Sequence, residues 1–196
     1  MTYATLDVAH PVWDRFFQVA PLVVIGTVEP DGTPDLAPKH MAMPLGWRNW
    51  FGFVCTPRHA TYRNAERERA FTVSYARPDQ LVHASLAAEP RCEDGQKASL
   101  AMLEVEPGQV VGAPLLRDAY VHLECELDRI VDGFGENALI VGQVVAARVA
   151  REALRAKDRE DQALIAESPL LAYLAPGQFA RIDRGHNFPL PAGFSR

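Results

Sequence analysis

The chain has 196 residues with 25 Asp and Glu against 20 Lys and Arg, a formal net charge of -5 that argues against a general attraction to nucleic acid. That length suits one domain with one substantial core, and no apolar run approaches the ~20 residues that a bilayer-spanning helix needs. The N-terminus has neither a basic flank nor an uninterrupted apolar segment, so a cytoplasmic location is expected.

The first periodic segment runs from about residue 10 to 18. There Val12, Trp13, Phe16 and Phe17 share an apolar face and predict a short helix that packs on the rest of the fold or on a second subunit. An apolar strand over Leu22 to Val28 leads into Glu29-Pro30-Asp31-Gly32-Thr33-Pro34, whose Asp-Gly between prolines signals a hairpin turn. Further strands are predicted near Asp35 to Met43 and Trp50 to Cys55. Next comes Thr56-Pro57-Arg58-His59-Ala60-Thr61-Tyr62-Arg63-Asn64, which gathers hydroxyls, cations and an amide at the entry to a helix running towards Arg69. Free N–H groups at a helix start favour negative charge, Arg58 can fork onto a phosphate, and Thr61 can donate its hydroxyl, so the turn suits an anion. Thr61 could equally do no more than cap the helix.

A strand over Phe71 to Ala76 precedes a helix starting at Pro78 or Asp79, and a brief helical pattern surrounds Lys97 to Leu103. Gly112-Ala113-Pro114-Leu115 then introduces two long strands, Val121 to Val131 and Leu139 to Val149. Between them, Gly133 to Ala138 fits the dinucleotide-binding pattern G-x-G-x-x-A, but that pattern works only where a strand enters a helix. Both flanks here are strands, so a hairpin loop without cofactor contact is expected. Alternation points Leu123, Cys125 and Leu127 one way and His122, Glu124 and Glu126 the other, towards solvent or a subunit interface. Arg151 to Asp161 reads as a solvated helix or loop, and residues 176 to 196, rich in Pro and Gly, as an extended arm. Cys55, Cys92 and Cys125 are odd in number and widely spaced without a Cys-x-x-Cys pair, which argues against a disulfide framework or a zinc knuckle, and no metal is expected.

In order and spacing, these segments resemble the flavin reductase-like family from about Pro21 to Val149. The most specific pieces are the Thr-x-x-Asn turn at Thr61 and Asn64, the Leu-Glu-Cys strand at Leu123 to Cys125, and the strand Leu139 to Val145 with its central Gly142. They favour this branch over the related pyridoxamine-phosphate oxidases. The resemblance implies a mainly β fold with peripheral helices, an FMN-binding split β-barrel of Greek-key-like antiparallel strands. Its core would span about 21 to 149 within a single domain of residues 1 to 196. It further implies a homodimer whose flavin cleft both subunits build, FMN as cofactor with FAD an alternative, and NAD(P)H as a transient hydride donor. The partners are then a small-molecule electron acceptor or flavin substrate, with neither nucleic acid nor membrane. A non-enzymatic flavin-binding, storage or sensing protein is the competing reading.

The cofactor-binding residues implied are Thr56, Arg58, His59, Thr61 and Asn64 in the turn, and Lys39, His40 and Met41 on the strand bordering the flavin ring. Where His40 stands, family members tend to place a small hydroxyl residue. A histidine could still hydrogen-bond the flavin edge, and Lys39 could stabilise negative charge there. No acid/base pair is evident. His40 and His186 are the candidate catalytic residues, and either could instead be a satisfied or solvated histidine.

Overall fold

The computed structural model of the chain describes residues 1–91, 97–191 and 193. Its centre is an antiparallel seven-stranded sheet in the order β3-β2-β6-β9-β10-β5-β4. The strands are β2 (Val23–Val28), β3 (Pro34–Lys39), β4 (Ala42–Pro44), β5 (Trp50–Cys55), β6 (Ala70–Tyr75), β9 (Val121–Phe134) and β10 (Asn137–Val149). The strands β3 and β4 are opposite edges of this sheet, yet His40 and Met41 alone separate them in sequence. Three peptide steps reach at most roughly 11 Å. The sheet must therefore curl until its edges meet, and His40–Met41 is the seam of the barrel. The single strand expected over Asp35 to Met43 is thus two strands with a break at the seam.

Inside the barrel, Phe51, Phe53, Phe71, Val23, Ile25 and Ile140 are fully buried, with Phe53 and Phe71 edge to face at 5.1 Å between centroids. Gly142 explains its own place in the strand, since a Cβ there would come within 2.6 Å of the Phe71 ring. A second cluster lies on the outer face of β2 and β3, where Val24, Leu36, Ala84, Leu116 and Leu171 pack together. The strand β2 is covered on both faces, which is why Val23 to Val28 reads as a continuous apolar run rather than an alternation.

The outer layer comprises a two-stranded hairpin, β7 (Val105–Pro107) with β8 (Pro114–Leu116), and a three-stranded sheet of β1 (Gln18–Pro21), β11 (Leu170–Ala175) and β12 (Gln178–Ile182) in the order β1-β11-β12. Helix α1 (Ala60–Glu68) plugs one end of the barrel with Thr61, Tyr62, Asn64 and Ala65, and ends at Arg69 in the left-handed region. Residues Pro78–Gln80 form one 3-10 turn leading into α2 (Leu81–Leu86), and Ala98–Met102 form another. Helix α3 (Asp161–Glu167) begins where the charged stretch ends.

Three expectations need correcting. Residues 10 to 17 form turns rather than a helix, and Trp13 and Phe17 stay more than half exposed. A segment this short is not helical without a surface to bury its apolar face, and among the described residues none covers it. The arm from residue 176 begins as strand β12 and becomes irregular only after Ile182. The polar face of β9 is not solvated, because the β7–β8 hairpin lies over it and buries both His122 and Glu124, leaving Glu126 exposed.

That covering is fixed polar group by polar group. Glu124 accepts the backbone N–H groups of Gln109 at 3.0 Å, Val110 at 2.7 Å and Val111 at 3.0 Å. His122 Nε2 lies 2.8 Å from the Leu116 carbonyl, the Ser74 hydroxyl accepts the Leu116 N–H at 3.0 Å, and Thr72 donates to the Pro114 carbonyl. Gly26 completes the seat, since a Cβ there would collide with the Pro114 carbonyl oxygen.

The run Gly133 to Ala138 is a hairpin. Phe134 pairs with Asn137 across a two-residue tip, Gly135-Glu136, with Gly135 at φ 66°. Positive φ at the first tip residue and not at the second is the pattern of a primed hairpin turn, and it calls for glycine there. Cys55 and Cys125 are buried free thiols, and burial, then the Glu124 charge, pushes the Cys125 thiol up to about 12, so it acts as a small apolar group. Cys92 lies outside the described residues. Among the described residues no helix is long and apolar enough to cross a membrane.

Candidate functional site

The strand-to-helix turn after β5 builds one end of a cleft. Thr56 accepts the His59 N–H at its carbonyl at 3.0 Å, and His59 is the residue preceding α1, with no side-chain cap. The first-turn N–H groups of α1 have no carbonyl a turn earlier to bind, so they present positive charge at this end. Arg63, one turn in, fixes the loop by donating to the carbonyls of Arg58 at 2.6 Å and Pro57 at 3.3 Å.

Thr61 does not cap the helix. It sits at the second helical position, buried, with its hydroxyl 3.3 Å from Asp35 Oδ2. Asn64 is buried beside it and donates to Thr27 Oγ at 3.3 Å, while Thr27 in turn donates to Asp35. The Thr-x-x-Asn spacing therefore places two polar side chains one turn apart on the buried face of α1, tying the helix to β2 and β3. Asp35, a residue that sequence reasoning left unmarked, is the hub, since Arg91 also donates to its Oδ1 at 2.8 Å and Lys97 Nζ lies 3.8 Å away. The only sequence sign was an acidic residue starting a strand otherwise bound for the core.

Above this hub is a chamber of about 490 Å³ whose wall, among the described residues, carries five cations, Lys39, Arg58, Arg63, Arg91 and Lys97, against two carboxylates, Asp35 and Glu89. The surplus is felt by His59. Burial holds its pKa below the ordinary histidine value, and Lys39, Arg58, Lys97 and Arg63 all push the same way. Lys97 is itself depressed by burial, opposed by Asp35, and is held by the carbonyls of Leu36 at 2.8 Å and Ala87 at 2.7 Å. Cys55 Sγ lies 3.9 Å from His59 Nδ1, and burial keeps that thiol protonated by raising its pKa.

Pro38 and Ala88 form the boundary between this chamber and a second one of about 500 Å³, which lies between α2 and the β11–β12 hairpin. Among the described residues, no Asp, Glu, Lys or Arg lines it. Its inner wall is His40, whose ring lies 4.7 Å from that of Tyr173 on β11 with a 35° tilt. Burial, then the Lys39 charge, lowers the His40 pKa, so the ring is neutral at pH 7. His40 and Tyr173 also border a third chamber of about 640 Å³, which takes in the exposed Trp13, Met41 and Met43.

Of the eight residues named for cofactor contact, six line one or another of three neighbouring chambers and two line none. Lys39, Arg58, His59 and Thr61 line the cationic chamber, His40 the uncharged one, and Met41 the third. Thr56 and Asn64 stand behind the wall and hold its shape. His186 is exposed on the segment after β12 and borders none of the three chambers. The hairpin expected over Gly133 to Ala138 reaches the edge of this region, where Glu136 at its tip forms an ion pair with Arg58.

A curled antiparallel sheet with a cationic pocket at a helix start and an adjoining apolar chamber at the barrel seam defines a small β-barrel protein. The chain belongs to the family described as flavin reductase like domain, whose model matches residues 18–179. Solved structures share the fold at low identity. A flavoredoxin from Methanosarcina acetivorans is 16% identical with a TM-score of 0.78, over 98% of both chains. An FMN-binding protein from Thermus thermophilus, solved with p-hydroxybenzaldehyde, is 21% identical with a TM-score of 0.76, over 96% of this chain and 100% of its own. A 2-nitrobenzoate 2-nitroreductase from Pseudomonas fluorescens is 16% identical with a TM-score of 0.74, over 90% of this chain and 87% of its own.

Proposed function

We propose that the protein is an FMN-dependent oxidoreductase of small molecules, reduced by NAD(P)H. The observation that carries this reading is the abrupt change in the cleft at Pro38 and Ala88, among the described residues, from five cations over two carboxylates to a chamber whose one titratable histidine, His40, is held towards its neutral form by burial. A ligand that matches both halves has an anionic group at one end and an uncharged flat body at the other. FMN has this form, and the chain's membership of the flavin reductase like family adds to the fit. When bound, FMN would supply two-electron redox chemistry at its ring.

The chain's own residues divide the remaining work. Arg58 and the first-turn N–H groups of α1 would hold the phosphate, and Arg63 keeps that turn in shape. Asp35 holds Thr61 and Arg91 in fixed positions, so the wall is ordered before a ligand arrives. His40 offers a neutral N–H donor towards the ring end, and Lys39 a positive charge. Tyr173 stacks on His40 and fixes its orientation. The exposed apolar side chains around the third chamber, Trp13, Met41 and Met43, support a homodimer that covers the seam.

The test is spectroscopic. The purified protein, loaded with FMN, should show flavin absorbance that bleaches on anaerobic addition of NADH or NADPH. A yellow protein that stays oxidised with both nicotinamides would favour a flavin carrier or sensor, and a protein that takes up no FMN would sink the reading altogether.

A further inference from the structure

We infer that Glu136, at the tip of the β9–β10 hairpin, is an internal anion that competes with the ligand phosphate for Arg58 and so keeps the flavin exchangeable. The inference rests on the phosphate site proposed above. Arg58 Nη2 donates to Glu136 Oε2 across 78 residues of sequence, and the two side chains are 70% and 74% exposed. The pair is not incidental to a floppy loop. On one side Arg63 clamps the backbone of Pro57 and Arg58, and on the other the tip is a two-residue turn fixed by Gly135. Two rigid segments therefore deliver opposite charges to the mouth of the cationic chamber.

A guanidinium that forks onto a phosphate needs two of its N–H donors in one plane. With Glu136 on Nη2, a phosphate has either to displace the carboxylate or to sit beside it at a cost in like-charge repulsion. An exposed ion pair is weak and screened by salt, so a phosphate can displace it. The result is a site that yields to FMN but returns to a self-satisfied state when FMN leaves. The opposite role would have Glu136 pre-orienting Arg58 for the phosphate, and the sign of one mutational effect separates the two.

The experiment is a fluorescence titration of wild type, Glu136→Gln, Arg58→Gln and the double variant with FMN and with riboflavin, at low and at high salt. Glu136→Gln is expected to tighten FMN binding about two- to fivefold at low salt, the range that an exposed pair supplies. The gain should shrink in high salt, vanish when Arg58→Gln is also present, and be absent for riboflavin, which has no phosphate. Unchanged or weaker FMN binding by Glu136→Gln, with wild type still preferring FMN over riboflavin, would overturn the inference while leaving the phosphate site standing. A wild-type protein with no preference for FMN over riboflavin would overturn both.

Discussion

Two buried or half-buried charge clusters sit about the same barrel and differ in how their charges are met. Under the β7–β8 hairpin, the Glu124 carboxylate is 2% exposed and has three backbone N–H donors at 2.7 to 3.0 Å, so its demand is met from within the chain. Around α1, Asp35 is as deeply buried and equally bound, yet among the described residues the wall of the chamber above it carries more cations than carboxylates. A buried charge that is fully met holds the fold together, and one that leaves a surplus of opposite sign at an open cleft is available to a ligand. Strong burial alone does not separate the two.

The first way to break this comparison is at Glu124. Glu124→Leu removes the acceptor for three N–H groups on exposed or half-buried residues, where water can partly replace it, so each lost bond costs about 1 kcal/mol. We expect a loss of roughly 3 kcal/mol after partial relaxation, which lowers Tm by about 6–12 °C in a domain of this size, with FMN affinity of the folded protein unchanged. Calorimetry and flavin titration on the same variant would check both halves. The pH dependence has a definite sign. Burial raises the Glu124 pKa but the N–H bonds to Val110, Val111 and Gln109 outweigh it, and the net shift is downward. The carboxylate therefore contributes its full stability above the ordinary glutamate pKa and loses it as the pH falls through the lower folded value. Denaturant midpoints of wild type and Glu124→Gln should converge as the solution is acidified below about pH 4.5.

The second perturbation is at the open cluster. Arg58→Gln should leave stability within about 0.5 kcal/mol, as an exposed residue does. It should weaken FMN by roughly 10- to 100-fold, since a hydrogen bond to a charged group is worth ~1.5–3 kcal/mol. Equal losses for FMN and riboflavin in a titration would show that the turn supports the ring or the fold instead of the phosphate. Thr61→Ala tests the boundary between the clusters. Its hydroxyl is spent on buried Asp35, so the expected result is a stability loss of about 1 kcal/mol by chemical denaturation, with a smaller effect on FMN than Arg58→Gln has.

The smallest expected effect concerns His59. Its pKa is depressed by burial and by four neighbouring cations, so in the free protein it contributes stability above the ordinary histidine pKa and loses it as the pH falls through the folded value. A bound phosphate dianion opposes those cations and raises the pKa, so binding takes up a fraction of a proton. FMN affinity should then increase modestly from pH 8 to pH 7, above the ~6 second ionisation of a phosphate monoester, and His59→Gln should flatten the trend. Isothermal titrations in buffers of different ionisation enthalpy would count the protons directly.

Much of the strand order was legible because its signals are local. Proline-glycine punctuation marked the Glu29 to Pro34 hairpin, β-branched runs marked β9 and β10, and the absence of a following helix removed the dinucleotide reading of Gly133 to Ala138. The strand-to-helix turn at Thr56 to Asn64 was legible as well, because an apolar strand ends in Thr-Pro and a polar helix follows it. What the residues by themselves determined was therefore the barrel strands, the strand-to-helix turn and the chemistry that the turn can offer.

The tertiary structure decided the rest, wherever an outcome depends on a partner distant in sequence. The segment before Gln18 has helical periodicity but no surface within the chain to bury it. His122 and Glu124 alternate outward as their pattern says, and only the β7–β8 hairpin, crossing the sheet over Gly26, makes that face an interior. Thr61 looks like a cap until Asp35 takes its hydroxyl, and Glu136 looks remote until the long hairpin brings it to Arg58. Period and spacing fix which way a side chain points along its own element, whereas burial and charge pairing are set by what the fold lays against it.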